Sequence, residues 1–144
     1  MNPTIEISFK TAQAYNAMCK PLCQELGLSQ TALDILLFLA NNPDYKTARD
    51  IVEVRHIKAN LVSMNVDKLV QEGYLRREAV EDDRRKTCLV CTEKAAPVIE
   101  QGRSVQEQFF ARLVAGVDEA QLRAFTATLE AMNQNLDAIL EGED

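Results

Sequence analysis

The chain contains no tryptophan and only one histidine, and 5 of its 144 residues are glycine. A single histidine makes a poor nitrogen-based metal site and leaves little choice of base for a serine–histidine–aspartate triad. The sequence also lacks a glycine-rich phosphate-binding loop. We therefore predict that the protein is not an enzyme and that it holds neither a metal nor a cofactor.

Long apolar runs are also absent. The longest one, Leu33–Ala40, is interrupted by Asp34 and falls far short of the roughly 18 residues that span a membrane. The first residues, MNPTIEISFKTAQ, have neither the basic start nor the apolar stretch of a secretory signal. We expect the protein to stay in the cytoplasm, away from membranes, where its four cysteines remain thiols.

The spacing of the cysteines argues against a zinc site. Cys88 and Cys91 lie an odd number of positions apart in a strand-like segment, so their side chains point to opposite faces, whereas zinc ligands converge. Cys19 and Cys23 are four residues apart and share one face of a predicted helix. Packed thiols are the more frequent outcome for such a pair, and a site that senses oxidant or binds a soft metal is the alternative.

Charge is distributed unevenly along a chain whose formal net charge is -6 and whose pI is about 4.9. The segment Asp44–Lys94 holds 11 of the 16 basic residues and 10 of the 22 acidic residues, so the flanks are strongly acidic. Within this segment Arg84, Arg85 and Lys86 follow one another between two apolar stretches. The global charge argues weakly against nucleic acid, but this basic cluster predicts contact with an anion.

Hydrophobic periodicity and capping residues predict six helices. Pro21 is expected to kink or interrupt the first helix because proline removes a backbone donor. A capping-box-like pair, Thr47 and Asp50, opens the third, and the tight turn RHIK leads from it into the fourth. The predicted helices are Ile5–Leu26, Ser29–Ala40 with Ser29 as N-cap, Thr47–Val54, Lys58–Glu72, Thr92–Val114 with Thr92 as N-cap, and a sixth capped by Asp118 and Gln121.

The sixth helix has the most regular apolar pattern of the chain. Its apolar residues are separated alternately by three and four positions, which is the spacing of a seam that packs against another helix. We expect this seam to form a dimer interface. It consists of Leu122, Phe125, Leu129, Met132, Leu136 and Ile139.

The period changes after Gly73, where the short segments LRREAV and TCLVC flank the charged EDDRRK and predict a β-hairpin with a basic tip. The predicted fold class is therefore mainly α with a small β-hairpin. Helix, turn, helix and hairpin is the order of a winged helix-turn-helix domain, in which the second helix of the motif enters the major groove of DNA. The hairpin tip, or wing, meets phosphates or the minor groove. The alternative is that EDDRRK is an ordinary solvated turn.

At three motifs the chain resembles the MarR family of bacterial transcriptional regulators. They are LGLS at Leu26–Ser29, VDKLVQEGYLRR at Val66–Arg77, and DRR at Asp83–Arg85, which TEK follows. The resemblance implies a homodimer joined by the first, fifth and sixth helices, two lobes on adjacent major grooves, and often a small effector between the lobes and the dimer core. Two departures, Lys58 in place of serine or threonine and Met64 in place of a basic residue, leave the operator sequence open.

The fourth helix offers one face to the core and the other to DNA. Its valines and leucine at helical spacing, Val62, Val66, Leu69 and Val70, are expected inside. On the other face an asparagine can pair with adenine, a serine can reach a base or phosphate, leucine and methionine can touch thymine methyl groups, and a lysine can contact phosphate. The alternative is a face that contacts a neighbouring element. The candidates are Lys58, Asn60, Leu61, Ser63, Met64 and Lys68.

In the wing, the resemblance implies that Asp83 positions an arginine, because an acid facing a phosphate would repel it. Arg84 and Arg85 cannot both point the same way in an extended tip. By family analogy Arg85 is expected to enter the groove, and Arg84 or Lys86 to contact phosphate.

These inferences predict a repressor that binds a pseudo-palindromic operator in double-stranded DNA as a homodimer and is released by a small aromatic or amphipathic effector. Tyr15, Met18, Phe38 and Phe109 can line an effector cleft, although core packing explains them equally well. A winged-helix module that binds another protein and a thiol-based redox sensor are the alternatives. The predicted domains are a dimerisation helix over 1–28, the winged lobe over 29–92 and dimerisation helices over 93–144.

Overall fold

The computed structural model describes residues 1–142, apart from the side chain of Arg84, and within them it contains six helices and one two-stranded antiparallel hairpin. This architecture confirms the predicted fold class. The elements are α1 (Pro3–Leu26), α2 (Gln30–Asn41), α3 (Ala48–Arg55), α4 (Ala59–Gln71), β1 (Leu75–Val80), β2 (Asp83–Cys91), α5 (Ala95–Leu113) and α6 (Glu119–Leu140).

Local hydrogen bonds explain where the first helices begin and end. At the start of α1 the Asn2 side chain accepts from the N–H of Thr4 at 2.8 Å. Gly27 ends this helix with a φ of 67°, a left-handed conformation that glycine adopts without a Cβ clash. The Ser29 hydroxyl accepts from the N–H of Ala32 at 3.0 Å, so the predicted N-cap of α2 is confirmed.

The predicted capping box at the start of α3 is also confirmed. The Thr47 hydroxyl accepts from the N–H of Asp50 at 3.1 Å, and the Asp50 carboxylate accepts from the N–H groups of Thr47 at 3.0 Å and Lys46 at 2.9 Å. Burial acts to raise the pKa of Asp50, but the hydrogen bonds from Lys46 and Thr47 and the charge of Lys86 together hold the pKa below its ordinary value. The start of α3 therefore depends on an ionised Asp50.

One predicted helix interruption is absent, and one predicted helix start differs from the structure. Pro21 does not interrupt α1, which continues to Leu26 while Cys19 and Leu22 on either side of the proline are buried in the core. The fifth helix begins at Ala95, three residues after its predicted cap. The Thr92 hydroxyl instead donates to the carbonyl of Gly73 at 2.6 Å, which ties the chain before α5 to the end of α4.

The hairpin places the basic cluster differently from the prediction. The two strands pair antiparallel from Leu75 opposite Cys91 to Val80 opposite Asp83, with a bulge between Ala79 and Val80. The strand β2 already begins at Asp83, so the basic cluster lies at its start and the turn is made by the two acids before it. The N–H of Leu89 donates to the carbonyl of Lys46 at 2.7 Å, which holds the hairpin against the chain before α3.

The core lies in a compact unit formed by Met1–Phe109 and is centred on α2. Leu33, Ile35 and Leu36 of this helix have no exposed surface. Gly102 of α5 packs so closely on α2 that an added Cβ would lie 2.8 Å from the Leu37 side chain. A larger residue at this crossing would therefore force the buried Leu37 side chain to move. Within the described residues no single helix is long and apolar enough to cross a membrane, and α1 and α2 meet that test only as a pair bent by 99°.

The second compact unit begins at Phe110 and contains the end of α5 and all of α6. The N–H of Asp118 donates to the side chain of Gln121 at 3.3 Å, which agrees with the predicted cap of α6. Within Glu119–Leu140, every residue of which the structure describes, none is buried. The apolar seam is exposed from 44% at Met132 to 66% at Ile139, and only its first member, Leu122, is half-buried.

Candidate nucleic-acid interface

The helix α4 is held by one apolar face, as its periodicity predicts. Val62, Val66 and Leu69 are buried and Val70 is half-buried, in contact with the core that α2 dominates. The preceding turn is tight because His56 takes a left-handed conformation, with a φ of 55°, directly after α3. This turn presents the N-terminus of α4 and one of its faces to the outside.

The candidate residues of α4 lie on that outer face. Asn60, Ser63, Met64 and Lys68 are exposed, and Leu61 is half-buried. The side chain of Met64, with 63% of its surface exposed, has no packing role that would explain an apolar residue there. Lys58 occupies the N-cap position, so its ammonium group adds to the positive end of the helix dipole. This helix end attracts anions such as phosphate.

An ion pair that the sequence pattern did not reveal braces α4 against the hairpin. The guanidinium of Arg77 in β1 pairs with the carboxylate of Asp67 on the outer face of α4. The preceding residue, Arg76, forms an ion pair within the strand, and its guanidinium nitrogen lies 2.7 Å from a carboxylate oxygen of Glu78. Arg77 thus offsets the negative charge of Asp67 that would otherwise repel a phosphate beside Lys68.

The wing is organised by Asp83. Its carboxylate accepts a hydrogen bond from the backbone N–H of Arg85 at 2.9 Å, which uses the acid within the hairpin. The side chains of Arg85 and Lys86 are exposed, and the charge of Lys86 acts on Asp50 at the start of α3 to lower its pKa. The third basic candidate, Arg84, has its side chain outside the described part of the structure.

A groove of about 370 Å³ separates α3, α4 and the hairpin. The surface of the groove is mainly apolar, and Ser63 of the outer face of α4 is among the residues that line it. The groove is lined by Ala48, Arg49, Val52, Ala59, Val62, Ser63, Val66, Arg77, Thr87 and Leu89.

The two cysteine candidates, Cys19 and Cys23, lie on α1. Cys19 has no exposed surface, and Cys23 is half-buried beside it on α1. Burial, followed by the charges of Cys19 and Asp34, raises the pKa of the Cys23 thiol, and burial raises the pKa of Cys91. A raised pKa keeps a thiol protonated and slows its reaction with oxidants. Among the described residues, no group of three histidine, cysteine or acidic side chains could hold a metal ion.

Sequence reasoning missed one further residue of α4. Asn65 lies on the core face, among Val62, Val66 and Leu69, and is 7% exposed. A signal for it was present, because residue 65 lies three positions after Val62 and four before Leu69, which is core spacing in a helix.

Comparisons with known proteins agree with this arrangement. The family model described as MarR family matches residues 26–86. The HTH-type transcriptional regulator BilQ from Clostridium symbiosum (strain WAL-14163) is 21% identical over 126 residues, which cover 88% of this chain and 87% of that protein.

Solved structures share the fold over nearly the whole chain. The transcriptional regulator PA3341 has 28% sequence identity and a TM-score of 0.81, with 92% of this chain and 96% of that chain covered. A putative MarR family transcriptional regulator from Listeria monocytogenes, complexed with 26mer DNA, has 17% identity and a TM-score of 0.82, with 100% and 98% covered. The family match over residues 26–86, the regulator BilQ and the winged helix-turn-helix that the residues around α4 form together support a MarR-family transcriptional regulator.

Proposed function

We propose that this protein binds double-stranded DNA as a homodimer and represses transcription from a pseudo-palindromic operator in the cytoplasm. The observation that carries the proposal is the position of α4. Its apolar face is buried, while its N-terminus and the polar face with Asn60, Ser63 and Lys68 are exposed. A helix presented in this way fits the major groove. The similar fold of the Listeria monocytogenes protein, whose structure contains DNA, supports the same assignment.

The residues of α4 divide by their chemistry. In the proposed complex the amide of Asn60 pairs with the N6 and N7 edge of adenine, and the Ser63 hydroxyl reaches a base or phosphate. Leu61 and Met64 contact thymine methyl groups. Lys58 at the helix start and Lys68, about three turns further along, contact phosphates, which position the helix without reading sequence.

The wing supplies the second set of contacts. The Arg85 N–H donates a hydrogen bond to the Asp83 carboxylate and so stabilises the start of β2. This bond supports a defined direction for the Arg85 side chain. We assign Arg85 to the minor groove and Lys86, with Arg84, to phosphates. The assignment of Arg84 rests on its place in the sequence.

Dimerisation is supported by the surface of α6. Five apolar side chains of its seam are exposed in the single chain, between 44% and 66%. Exposed apolar residues in a continuous helical stripe favour a partner helix, because burying them removes apolar area from water. A second copy of this chain would place two α4 helices on half-sites about 34 to 36 Å, or one helical turn, apart.

The proposed effector site lies in the unit that carries the core. A cleft of about 170 Å³ is lined by residues that include Tyr15 and Phe38, two of the aromatic candidates, together with Asp34 and Arg55. The pKa of Tyr15 is raised to about 12, first by burial, so this phenol stays protonated and can donate to a ligand. A small amphipathic molecule in the cleft would touch α2 and the end of α3, the helix that precedes α4. We propose that its binding releases the operator.

The experiment selects duplexes from a random pool with the purified protein and then titrates the selected operator at several salt concentrations. We expect an inverted repeat, and a logarithmic affinity that falls linearly with the logarithm of salt by about 0.9 per neutralised phosphate. Asn60→Ala should relax the preference at one inner base position of each half-site, with the slope unchanged. Enrichment of no duplex, with binding to a protein partner instead, would identify a winged-helix interaction module.

A further inference from the structure

One polar side chain lies inside the core of the part that the structure describes, and it belongs to α4. Asn65 is 7% exposed and is surrounded by the buried face of its own helix and by α2. A buried amide costs free energy unless its groups are hydrogen-bonded. A leucine at this position would extend the apolar face without that cost. The asparagine therefore calls for a reason other than packing.

Both ends of the Asn65 amide have a defined partner. Its Nδ2 donates to the carbonyl of Leu61, one turn earlier in α4, at 2.8 Å. Its Oδ1 accepts from the hydroxyl of Ser29 at 2.8 Å, and that hydroxyl in turn accepts from the N–H of Ala32. Because a backbone carbonyl can only accept, the amide has one orientation, and the Ser29 hydroxyl must be the donor to Oδ1.

This chain of bonds joins the N-cap of α2 to the middle of α4, across 36 positions of sequence. The other contacts of α4 with the core, through Val62, Val66 and Leu69, are apolar and non-directional. A hydrogen bond weakens steeply as its angle departs from linear. The link to Ser29 is thus the directional contact between α4 and the core, and it restricts rotation of α4 about its own axis from the side opposite the Asp67–Arg77 pair with the hairpin.

Rotation of α4 bears directly on base recognition. Side chains stand about 5 to 6 Å from a helix axis, so a rotation of about 20° displaces them by roughly 2 Å. A bidentate contact from Asn60 to a base edge does not survive such a displacement, whereas a flexible lysine follows a phosphate. Loss of the link should accordingly weaken discrimination between bases more than general affinity for DNA.

We infer that Asn65 is a positioning residue for sequence discrimination, which acts through Ser29 to set the rotation of α4. The inference rests on the proposed DNA-binding function. Neither residue is assigned a DNA contact, since Asn65 is buried and the Ser29 hydroxyl is engaged by the Asn65 amide and by the N–H of Ala32. Burying the Asn65 amide lowers the stability of the fold but specifies a single orientation of α4, as buried polar residues do in other helical interfaces.

The test uses four variants of the full chain. Asn65→Leu removes the amide at similar volume, and Ser29→Asp retains a good N-cap but places an acceptor against Oδ1. Ser29→Thr keeps both the cap and the hydroxyl donor. Val66→Ala is the packing control, because it removes apolar contact beside Asn65 and leaves the link intact. Each variant is titrated against the selected operator and a duplex with one inner base changed per half-site, and its thermal unfolding is recorded.

We expect Asn65→Leu and Ser29→Asp to lose about fivefold to tenfold of the affinity ratio between the two duplexes, the scale of one net hydrogen bond. The salt slope of Asn65→Leu should equal that of the wild type, because this variant changes no charge and loses no phosphate contact. Asn65→Leu should unfold at the same temperature as the wild type or higher. Ser29→Thr should retain the ratio, and Val66→Ala should unfold at a lower temperature with its ratio unchanged.

Two results would overturn the inference alone: an unchanged ratio in both Asn65→Leu and Ser29→Asp, or an equal loss of ratio in Val66→Ala, which would reduce the role of Asn65 to packing. A wild-type protein that binds no duplex in a salt-dependent manner would overturn the proposed function and this inference with it. Because Ser29→Asp and Asn65→Leu break the same bond from opposite sides, failure of one variant to fold leaves the other to decide.

Discussion

At the scale of single residues, the hairpin contains two kinds of basic side chain. Some form ion pairs within the protein, and others are exposed and can bind a ligand. Arg76 and Arg77 of β1 are paired with acids, one in the strand and one on α4. Asp83 accepts from the backbone of Arg85, which leaves that guanidinium exposed. Arg85 and Lys86 of β2 are therefore the described residues expected to meet DNA, although the hairpin sequence contains five basic side chains.

Substitutions of Arg85 and Lys86 in the wing should affect DNA binding in different ways. Arg85→Ala should weaken operator binding by about 1 to 3 kcal/mol for each lost groove contact and relax sequence preference at the outer flank of each half-site. Lys86→Ala should weaken binding to all duplexes alike and flatten the salt slope, because it removes a phosphate contact. Titration of both variants at several salt concentrations separates the two effects. Lys20→Ala on α1 removes the same charge as a control and should leave both quantities unchanged.

A second residue-scale prediction concerns the thiols of α1. Since Cys19 is buried and the pKa of Cys23 is raised by burial, peroxide should leave operator affinity unchanged in the wild type and in the Cys19→Ala, Cys23→Ser double variant. Alanine avoids a new hydroxyl at the fully buried position. Release of the wild type, but not of the double variant, from labelled operator after peroxide treatment would make the protein a thiol sensor.

At the scale of elements, the helices are held together at their ends. The start of α3 is fixed by its capping box, and the end of α4 is fixed by the chain that leads into α5. There the ammonium of Lys94 donates to the carbonyl of Glu72 at 2.6 Å and lies 4.4 Å from the centre of the Tyr74 ring. This cation at the C-terminus of α4 favours the helix dipole. The TEK segment thereby links α4 to α5.

The cap of α3 should make stability depend on pH. The folded-state pKa of Asp50 is lowered, so its contribution is present above the ordinary carboxyl pKa and is lost as pH falls through the folded value. Asp50→Ala should cost about 1 kcal/mol at pH 7, the usual scale for a helix cap. Urea unfolding of wild type and variant should show this gap shrink towards pH 3. Asp44→Ala, outside the capping box, is the control, and a gap that stays constant with pH would rule out an ionised cap.

At the scale of the whole molecule, acidic flanks and a local basic surface imply that DNA binding depends on a few placed cations. The net charge of -6 opposes any general attraction to phosphate. In the proposed dimer the exposed seam of α6 would supply the apolar area for a partner, and two copies would double the number of cations on one duplex. Dimerisation and affinity for DNA should therefore be coupled.

Charges on the seam should break the dimer. Leu129→Asp with Leu136→Asp should give a monomer by light scattering at micromolar concentration and should weaken operator binding together with the loss of the dimer, because each lobe retains half of the contacts. Ala127→Asp with Gln134→Asp carries the same added charge on the same helix, two positions away from each seam residue, and should remain dimeric. A wild-type protein that is monomeric at full helicity would refute the interface.

The sequence by itself determined the features that depend on neighbours within a turn or two. The periods of the helices, the core face of α4, the capping box at Thr47 and the hairpin after Gly73 all follow from interactions between residues about two to four positions apart. The order of these elements then indicated a winged helix-turn-helix, because few folds combine them in that order. Those expectations match the structure.

Only the tertiary structure decided which polar groups meet across long separations in sequence. No local pattern relates the residues that these contacts join. They are the hydrogen bond from Ser29 to Asn65, the ion pair of Arg77 with Asp67 and the hydrogen bond from Thr92 to the carbonyl of Gly73. Hydrogen bonds and ion pairs require atoms to meet within a few tenths of an ångström and at a suitable angle. Periodicity gives the face of a helix, but the packing of one helix on another sets that distance and angle.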